Sequence, residues 1–556
     1  MDLTAILVFI AFGVLFRLLL AAWGGLGRAK TWVLFVASIL AVYWLQPATP
    51  VRYLDFWFPT LTLAVAALGW ALTRAPGGKG AHAGAPLPGA SLRENWPAAL
   101  TLAGMALLLG LTRYLDFTFP LLESRPPAFE QTVIAVLVAA ALALGLGWIA
   151  GRVKPGQKSR SGLLWGVIAV LIALLVVLKA PPLALAASAA VRNLMSQSAA
   201  LAASTDLRWL GFSYVAFRII HTLRDRQSGR LPAVALHEYM VYVIFFPAFT
   251  AGPIDRLDRF IKDLRAAPAP APAAAAADAP AAPARALGFT AAAAPWSDWA
   301  AAGERLTLGL LKKFVVADGL ALAALNATNA AQVNSAGWAW GLAVAYSLQI
   351  YFDFSGYTDI AIGLGKLLGY NLPENFNAPY LKPNLTLFWN SWHITLTNWF
   401  RAYYFNPVTR WLRTLKFGQT PGPGQTRRSA PTGDDDGVGA NLRVRPGAEP
   451  RGLPPQLIMF STQLTTFILI GLWHGVTWNF VLWGAFHGVG LFIQNRWTEL
   501  MRPRHAALAE AHPRLEKALT VLSTALTFVY ATLGWVFFAL PDPGLSFRVL
   551  GKMFGG

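Results

Sequence analysis

Long apolar stretches recur along the chain, each close to the ~20 residues that a helix needs to cross the hydrocarbon core of a bilayer. The first six lie at residues 3–22, 31–46, 55–73, 97–112, 130–150 and 162–185, and the later ones at 209–223, 236–253, 305–326, 336–352, 457–473, 476–494 and 517–540. Several of the later stretches are short or interrupted by glycine, which favours re-entrant segments buried in protein. The pattern predicts an all-α integral membrane protein with about 10–14 transmembrane or re-entrant helices.

Two segments interrupt the apolar pattern. Residues 266–297 are rich in alanine and proline, and residues 418–453 are polar and rich in glycine and proline. Such segments bury too little side chain to offset the entropy of ordering, so we expect both to be disordered. They divide the chain into an N-terminal transmembrane bundle (1–208), a core region with the Ala/Pro insertion (209–416), a polar loop (417–454) and C-terminal helices (455–556).

Composition supports the membrane assignment and excludes chemistry that depends on cysteine. Hydrophobic residues make up 55% of the 556 residues and charged residues only 13%. A soluble protein of this composition could not keep its apolar surface out of water. The chain has no cysteine, which excludes disulfides, thiolate nucleophiles and cysteine-ligated metals. Its net charge of +19 comes mostly from short loops between apolar stretches, so anionic lipid is a better explanation than nucleic acid.

The basic residues also predict an orientation. The loops after the first, third and fifth stretches carry Arg28, Lys30, Arg74, Lys79, Arg93, Arg152, Lys154, Lys158 and Arg160, whereas those after the second and fourth carry only Arg52, Arg113 and Arg125. Because cytoplasmic loops carry the excess of lysine and arginine, the first set is expected in the cytoplasm. The N-terminus is therefore expected outside, and the first span is expected to be uncleaved because no small-residue cleavage site closes it.

Polar side chains within apolar stretches are the candidates for function, and they concentrate at residues 351–405 and 468–492. His474 follows an apolar run and stands between Trp473 and Gly475. An uncharged imidazole in such surroundings is able to accept a proton. The alternative is a histidine that only packs helices together and bonds a backbone carbonyl.

His393 lies in a second candidate segment, FWNSWHITLTNWFRAYY, whose aromatic residues fall close to helical spacing. The spacing predicts an amphipathic or re-entrant helix, in which Arg401 is able to bind a phosphate or carboxylate. The alternative is an interfacial helix that only anchors the chain. The preceding PENFNAPYLKPN contains three prolines and is expected to be a loop. Asp353 and Asp359 either bind a cation or protons, as in a transporter, or hold a helix in place by hydrogen bonds.

Five blocks of the sequence together resemble the membrane-bound O-acyltransferase family. They are FTAGPIDRLDRF (249–260), YFDFSGYTDIAIGLGKLLGYNLPENFNAPYL (351–381), FWNSWHITLTNWFR (388–401), GLWHGVTWNFVLWGAFHG (471–488) and LGWVFF (533–538). They are similar to its bacterial branch for alginate O-acetylation and teichoic-acid D-alanylation. No P-loop, zinc-protease, nucleophile-elbow or Rossmann motif competes with this resemblance.

The resemblance implies a ring-like bundle of helices that encloses a tunnel, located in the bacterial cytoplasmic membrane. It also implies transfer of an acyl group, most simply acetyl, from a cytosolic acyl-CoA or acyl-carrier thioester to a hydroxyl acceptor or relay protein outside, with no bound cofactor or metal. His474 and His393 correspond to the family's two histidines and are the expected catalytic residues.

Six further residues are expected to line or support the substrate site: Asp353, Asn375, Asn377, Trp392, Arg401 and Trp473. An amide or a backbone N–H is a candidate to stabilise the oxyanion. Partners are expected to include the lipid bilayer and an extracytoplasmic acyltransferase or acceptor protein, and no nucleic acid. Two alternatives remain open, namely D-alanyl transfer to teichoic-acid-type acceptors and a proton-coupled transporter or flippase.

Overall fold

A computed structural model describes residues 2–22, 29–73, 92–115, 121–152, 158–266, 296–417 and 451–556. The helices of the first half are α1 (Leu3–Ala22), α2 (Ala29–Leu45), α3 (Leu54–Thr73), α4 (Leu92–Leu111), α5 (Phe129–Arg152), α6 (Lys158–Lys179), α7 (Pro181–Leu194), α8 (Phe212–Gln227), α9 (Leu236–Val243) and α10 (Leu257–Arg265). Those of the second half are α11 (Trp296–Leu310), α12 (Asp318–Ala321), α13 (Ala327–Ala330), α14 (Ala336–Leu368), α15 (Leu385–Trp389), α16 (Ile394–Phe400), α17 (Asn406–Thr414), α18 (Pro455–His474), α19 (Trp478–Ala511), α20 (Pro513–Ala539) and α21 (Pro543–Met553).

Other regular structure is short. Two π-helical segments, Leu311–Ala317 and Arg401–Phe405, continue α11 and α16. Strands β1 (Lys416–Phe417) and β2 (Arg451–Gly452) form a small antiparallel pair. The described part of the chain is therefore almost entirely helical.

Seven described helices are long and apolar enough to cross a bilayer, namely α1, α3, α4, α5, α6, α18 and α20. α2 is apolar but shorter. Many large apolar side chains on α4, α5 and α6 are exposed, as expected for surfaces that face lipid. The prediction of an all-α, multi-pass membrane protein is confirmed.

Three predicted stretches have different bounds in the structure. The stretch at 162–185 is not one helix, because Pro181 and Pro182 end α6 at Lys179 and start α7. The stretch at 236–253 is α-helical only as far as Val243. The stretch at 336–352 continues as α14 to Leu368. The continuation contains Asp353 and Asp359, which pair with basic residues of the neighbouring π-helical segment, and this pairing allows Asp359 to be buried.

Helices α18 and α19 form an antiparallel hairpin that packs very closely. The turn between them has only three residues, Gly475–Thr477. A Cβ atom at Gly484 would lie 2.5 Å from the backbone oxygen of Phe467, so only glycine permits this approach. The hairpin packs with α15, α16 and α20 around a buried aromatic cluster that includes Trp389, Trp483 and Trp535.

The predicted disordered segments at 266–297 and 418–453 lie almost wholly outside the described residues. The side chains of most loop residues used to predict orientation also lie outside the described residues. The four-part division of the chain therefore stays a prediction.

Candidate functional site

His474 is the last residue of α18. The helix ends there because Gly475 adopts an extended backbone, with φ −172° and ψ 142°. The imidazole is surrounded by aromatic rings, with centroid distances of 4.4 Å to Trp473, 4.8 Å to Phe538 and 5.9 Å to Trp483. It remains partly accessible, and no hydrogen bond to it occurs among the described residues. This imidazole is therefore available to a substrate.

His393 occupies a break between two short helices. The prediction of a single helix over 388–404 is wrong, because the chain leaves the α-helical conformation after Trp389 and re-enters it at Ile394. His393 is the N-cap of α16 and has φ 44°, a conformation that non-glycine residues seldom adopt. Its side chain is buried, and its Nε2 atom has no hydrogen-bond partner in the described structure. Such an unpartnered buried nitrogen is often found at a ligand site.

The loop before α15 holds this break in place. The backbone carbonyl of Asn375 accepts the N–H of Ile394 at 2.9 Å, and its side-chain Oδ1 accepts the hydroxyl of Thr395 at 2.6 Å. The hydroxyl oxygen of Thr395 in turn accepts the N–H of Ile254 at 3.0 Å. Three of the sequence blocks quoted above are thereby joined next to His393.

His393 and His474 line the same cavity, which has a volume of about 80 Å³. The rest of its wall consists of Ile350, Phe354, Trp389, Trp392, Leu396, Thr397, Ile470, Trp483, Trp535 and Phe538. By the same measure one water needs about 10–15 Å³, so the cavity holds a group of only a few heavy atoms. No carboxylate, ammonium or guanidinium belongs to this wall as described.

The six supporting residues predicted from sequence lie in different places. Trp392 lines the cavity, and the indole of Trp473 lies between the two histidines, with centroid distances of 6.1 Å to His393 and 4.4 Å to His474. Asn375 lies outside the wall and acts through Thr395. The remaining three lie away from the cavity: Asn377 is exposed, Arg401 is exposed and donates to Asn390, and Asp353 pairs with Lys313.

Asp359, on the same helix as Asp353, is also paired. Its buried carboxylate accepts from Arg305 at 2.5 Å and from Lys312 at 2.7 Å. Arg305 extends this network to Glu374 in the loop before α15. These aspartates hold α14 to α11 and to its π-helical continuation.

Sequence reasoning missed most of the cavity wall. Trp389 and Trp483 were within the quoted blocks, but their repeated indoles are indistinguishable in sequence from interfacial anchors. Thr397, one turn after His393, is the hydroxyl residue of the described wall. Ile350 and Leu396 carried no signal, because apolar residues are common throughout the chain.

The other described histidines are not part of the cavity wall. His487 is fully buried against Trp389 and Trp483, and neither of its ring nitrogens has a partner in the described structure. His221 contacts the hydroxyl of Tyr242 at 3.1 Å, whereas His505 is exposed. Neither His487 nor His221 lines the cavity.

Comparison with known proteins matches the model of the membrane-bound O-acyltransferase family to residues 169–420. The chain is 29% identical over 346 residues to a probable alginate O-acetylase AlgI of Azotobacter vinelandii, covering 62% of this chain and 53% of the relative. It is 31% identical over 249 residues to a peptidoglycan O-acetyltransferase of Helicobacter pylori, covering 45% and 38%. It is 26% identical over 295 residues to a teichoic acid D-alanyltransferase of Streptococcus thermophilus, covering 52% and 58%. The chain spans about half the length of the relatives it matches.

Proposed function

Because the chain carries a domain of the membrane-bound O-acyltransferase family, we propose that it transfers an acyl group from a thioester to a hydroxyl within the membrane. The single observation that carries this proposal is the pair of histidines in the wall of one small cavity, His474 accessible and His393 with an unpartnered nitrogen. General-base catalysis needs an imidazole within reach of the attacking hydroxyl, and both imidazoles line the small cavity in which the reacting acyl group is proposed to lie.

In the proposed reaction, His474 takes the proton of the acceptor hydroxyl while the oxygen of that hydroxyl attacks the thioester carbonyl. The tetrahedral intermediate then expels the thiolate, which receives that proton from the imidazolium, so an ester and a free thiol are formed. His393 is proposed to donate a hydrogen bond to the carbonyl oxygen as negative charge develops there. The surrounding indole and phenyl rings exclude water, which would otherwise compete as the acceptor.

We propose acetyl as the transferred group. The cavity holds a few heavy atoms, which suits a two-carbon acyl group better than a long chain. A D-alanyl group carries an ammonium, and the described wall offers no carboxylate to pair with it. D-alanyl transfer remains the second candidate because one relative is named a teichoic acid D-alanyltransferase, and tryptophan faces attract cations.

The proposed setting is the bacterial cytoplasmic membrane, with acetyl-CoA or an acyl-carrier thioester supplied from the cytosol and the acceptor outside. The acceptor is proposed to be a hydroxyl of an exported or cell-wall polysaccharide, or of a protein that relays the group, since relatives are named for alginate and peptidoglycan O-acetylation. An N-terminus outside the cell follows from the positive-inside bias.

The ion pairs of Asp353 and Asp359 argue against the transporter alternative. A proton relay needs carboxylates that exchange protons along a pathway, whereas these two are paired with Lys313 and with Arg305 and Lys312. Neither aspartate lines the cavity that contains the histidines.

The deciding experiment measures O-acetyl groups on the surface polysaccharide, as acetate released by mild alkali. It uses a deletion strain complemented with wild type, His474→Ala, His393→Ala or, as a matched control, His505→Ala. We expect His474→Ala to reduce acetylation by at least ~100-fold, His393→Ala by a smaller factor, and His505→Ala not at all. Full acetylation by both cavity variants would instead indicate an inert scaffold.

A second measurement separates the donors. Purified protein in proteoliposomes receives alginate oligosaccharides with either acetyl-CoA or a D-alanyl carrier thioester, and free thiol is followed. Consumption of acetyl-CoA alone is expected, whereas consumption of the D-alanyl carrier alone would replace acetyl transfer by the second candidate.

A further inference from the structure

Two helices end at the same point beside His474. α6 ends at Lys179 because Pro181 lies two residues further on, and α18 ends at His474 because Gly475 is extended. The last carbonyl groups of a helix have no partner within it and carry partial negative charge. Where two such helix ends meet, a positively charged hydrogen-bond donor is needed to compensate the partial negative charge of their carbonyl groups.

Lys179 meets this need through three contacts. Its ammonium donates to the backbone carbonyl of Trp473 and lies 5.2 Å from the centroid of the Trp473 indole. Its own backbone carbonyl accepts the N–H of Val476 at 3.2 Å. The contacts therefore fall one residue before and two residues after His474, so Lys179 holds the turn on both sides of the imidazole.

The position of Lys179 is not explained by an ion pair. Within the described residues it has no carboxylate partner, unlike Lys312 and Lys313 on the π-helical segment. A lysine held at the end of an apolar helix without a carboxylate is costly unless another interaction compensates it. The helix-end carbonyl and the indole face provide that compensation.

We propose that Lys179 is a positioning residue of the acyl transfer, which keeps the turn after α18 in the conformation that directs His474 into the cavity. The inference rests on the proposed function. Lys179 lies outside the cavity wall and so acts through His474. A displacement of about 1 Å at a catalytic group commonly costs on the order of 100-fold in rate. Turnover is therefore expected to depend on Lys179 more strongly than donor binding does.

The test compares wild type, Lys179→Met, Lys179→Arg and His474→Ala in proteoliposomes with acetyl-CoA and alginate oligosaccharides. Lys552→Met is the matched control, because Lys552 also lies in the last turn of a helix but away from the cavity. We expect Lys179→Met to lower kcat at least ~10-fold while KM for acetyl-CoA changes less than ~2-fold. Lys179→Arg, which keeps the charge and the donor, is expected to retain at least about a third of kcat, and Lys552→Met all of it.

The possible outcomes distinguish failure of the proposed function from failure of the role of Lys179. A wild type as inactive as His474→Ala contradicts the proposed function itself. An active wild type with Lys179→Met at wild-type kcat, or with a change in KM alone, overturns only the role of Lys179. If Lys179→Met does not fold, Lys179→Arg decides, and a folded Lys179→Arg that loses more than ~10-fold in kcat also overturns the inference.

Discussion

Replacing Gly471 by alanine tests how closely the chemistry depends on helix packing. A Cβ atom at this position would lie 2.1 Å from the backbone oxygen of Phe480, about 1.3 Å short of the 3.4 Å at which ordinary contact begins. The oxygen belongs to the backbone of α19 and cannot rotate away, so α18 and α19 must separate by roughly that distance. Gly471 precedes His474 by one helical turn, so the imidazole moves with the helix.

We expect Gly471→Ala to cost about 1–3 kcal/mol of stability, the usual range for overpacking, and to lower turnover on the order of 100-fold. The matched control is Gly104→Ala on α4, where no atom lies within 4 Å of the new methyl group. Thermal unfolding in detergent and thiol release from acetyl-CoA measure the two effects. A Gly471→Ala protein with the unfolding temperature and turnover of Gly104→Ala would refute the argument from helix packing.

Three further predictions follow from the site and its supports. Leu396→Ala enlarges the cavity and is expected to allow turnover of propionyl- or butyryl-CoA, measured as thiol release. The control is Leu387→Ala, which changes an exposed residue outside the wall and is not expected to allow turnover of these longer donors. Asn375→Leu leaves the Thr395 hydroxyl without its acceptor and is expected to lower the free energy of unfolding by about 1–3 kcal/mol, measured by thermal unfolding. Asn377→Leu, at an exposed position of the same loop, is the control and tests whether any change in this loop destabilises the protein equally. Asp359→Asn is expected to lower the free energy of unfolding by about 1 kcal/mol, a modest loss because Arg305 and Lys312 are partly solvated, while kcat stays within ~2-fold. Thermal unfolding and thiol release measure the two quantities, and loss of all activity in folded protein would favour a proton relay.

The sequence predicted the membrane class and most helix positions, because bilayer thickness imposes a length on every spanning helix. It failed where a local break or a distant partner decides the conformation. The proline pair after Ala180 divides one predicted span into α6 and α7, and the positive φ of His393 divides another predicted helix. Asp353 and Asp359 permitted a long α14, but only the structure identifies their partners on the preceding helix.

The sequence also predicted only part of the site. His474 and His393 were recognised because a polar group within apolar sequence is rare and because their blocks resemble a known family. Their common cavity is a tertiary feature, since residues of α16, α18, α19 and α20, which are far apart in sequence, line it together. Lys179 was missed: it lies inside the predicted stretch 162–185, and only the structure shows that α6 ends there and that the lysine contacts Trp473, almost 300 positions away.

Helix α19 is longer than the hydrocarbon core of a bilayer is thick. Its 34 residues extend about 51 Å at 1.5 Å per residue, whereas the hydrocarbon layer is about 30 Å thick. The far part of α19 and the start of α20 form an antiparallel pair with its tip at His512, and their mostly exposed side chains, which include Arg502, Arg504 and Arg514, favour a location in water. Because α19 runs back from the end of α18, the tip lies on the opposite face from His474. Protease cleavage of an epitope inserted at His512 thus tests the proposed orientation: if the N-terminus lies outside, as proposed, the epitope is expected to be cleaved only in inverted vesicles.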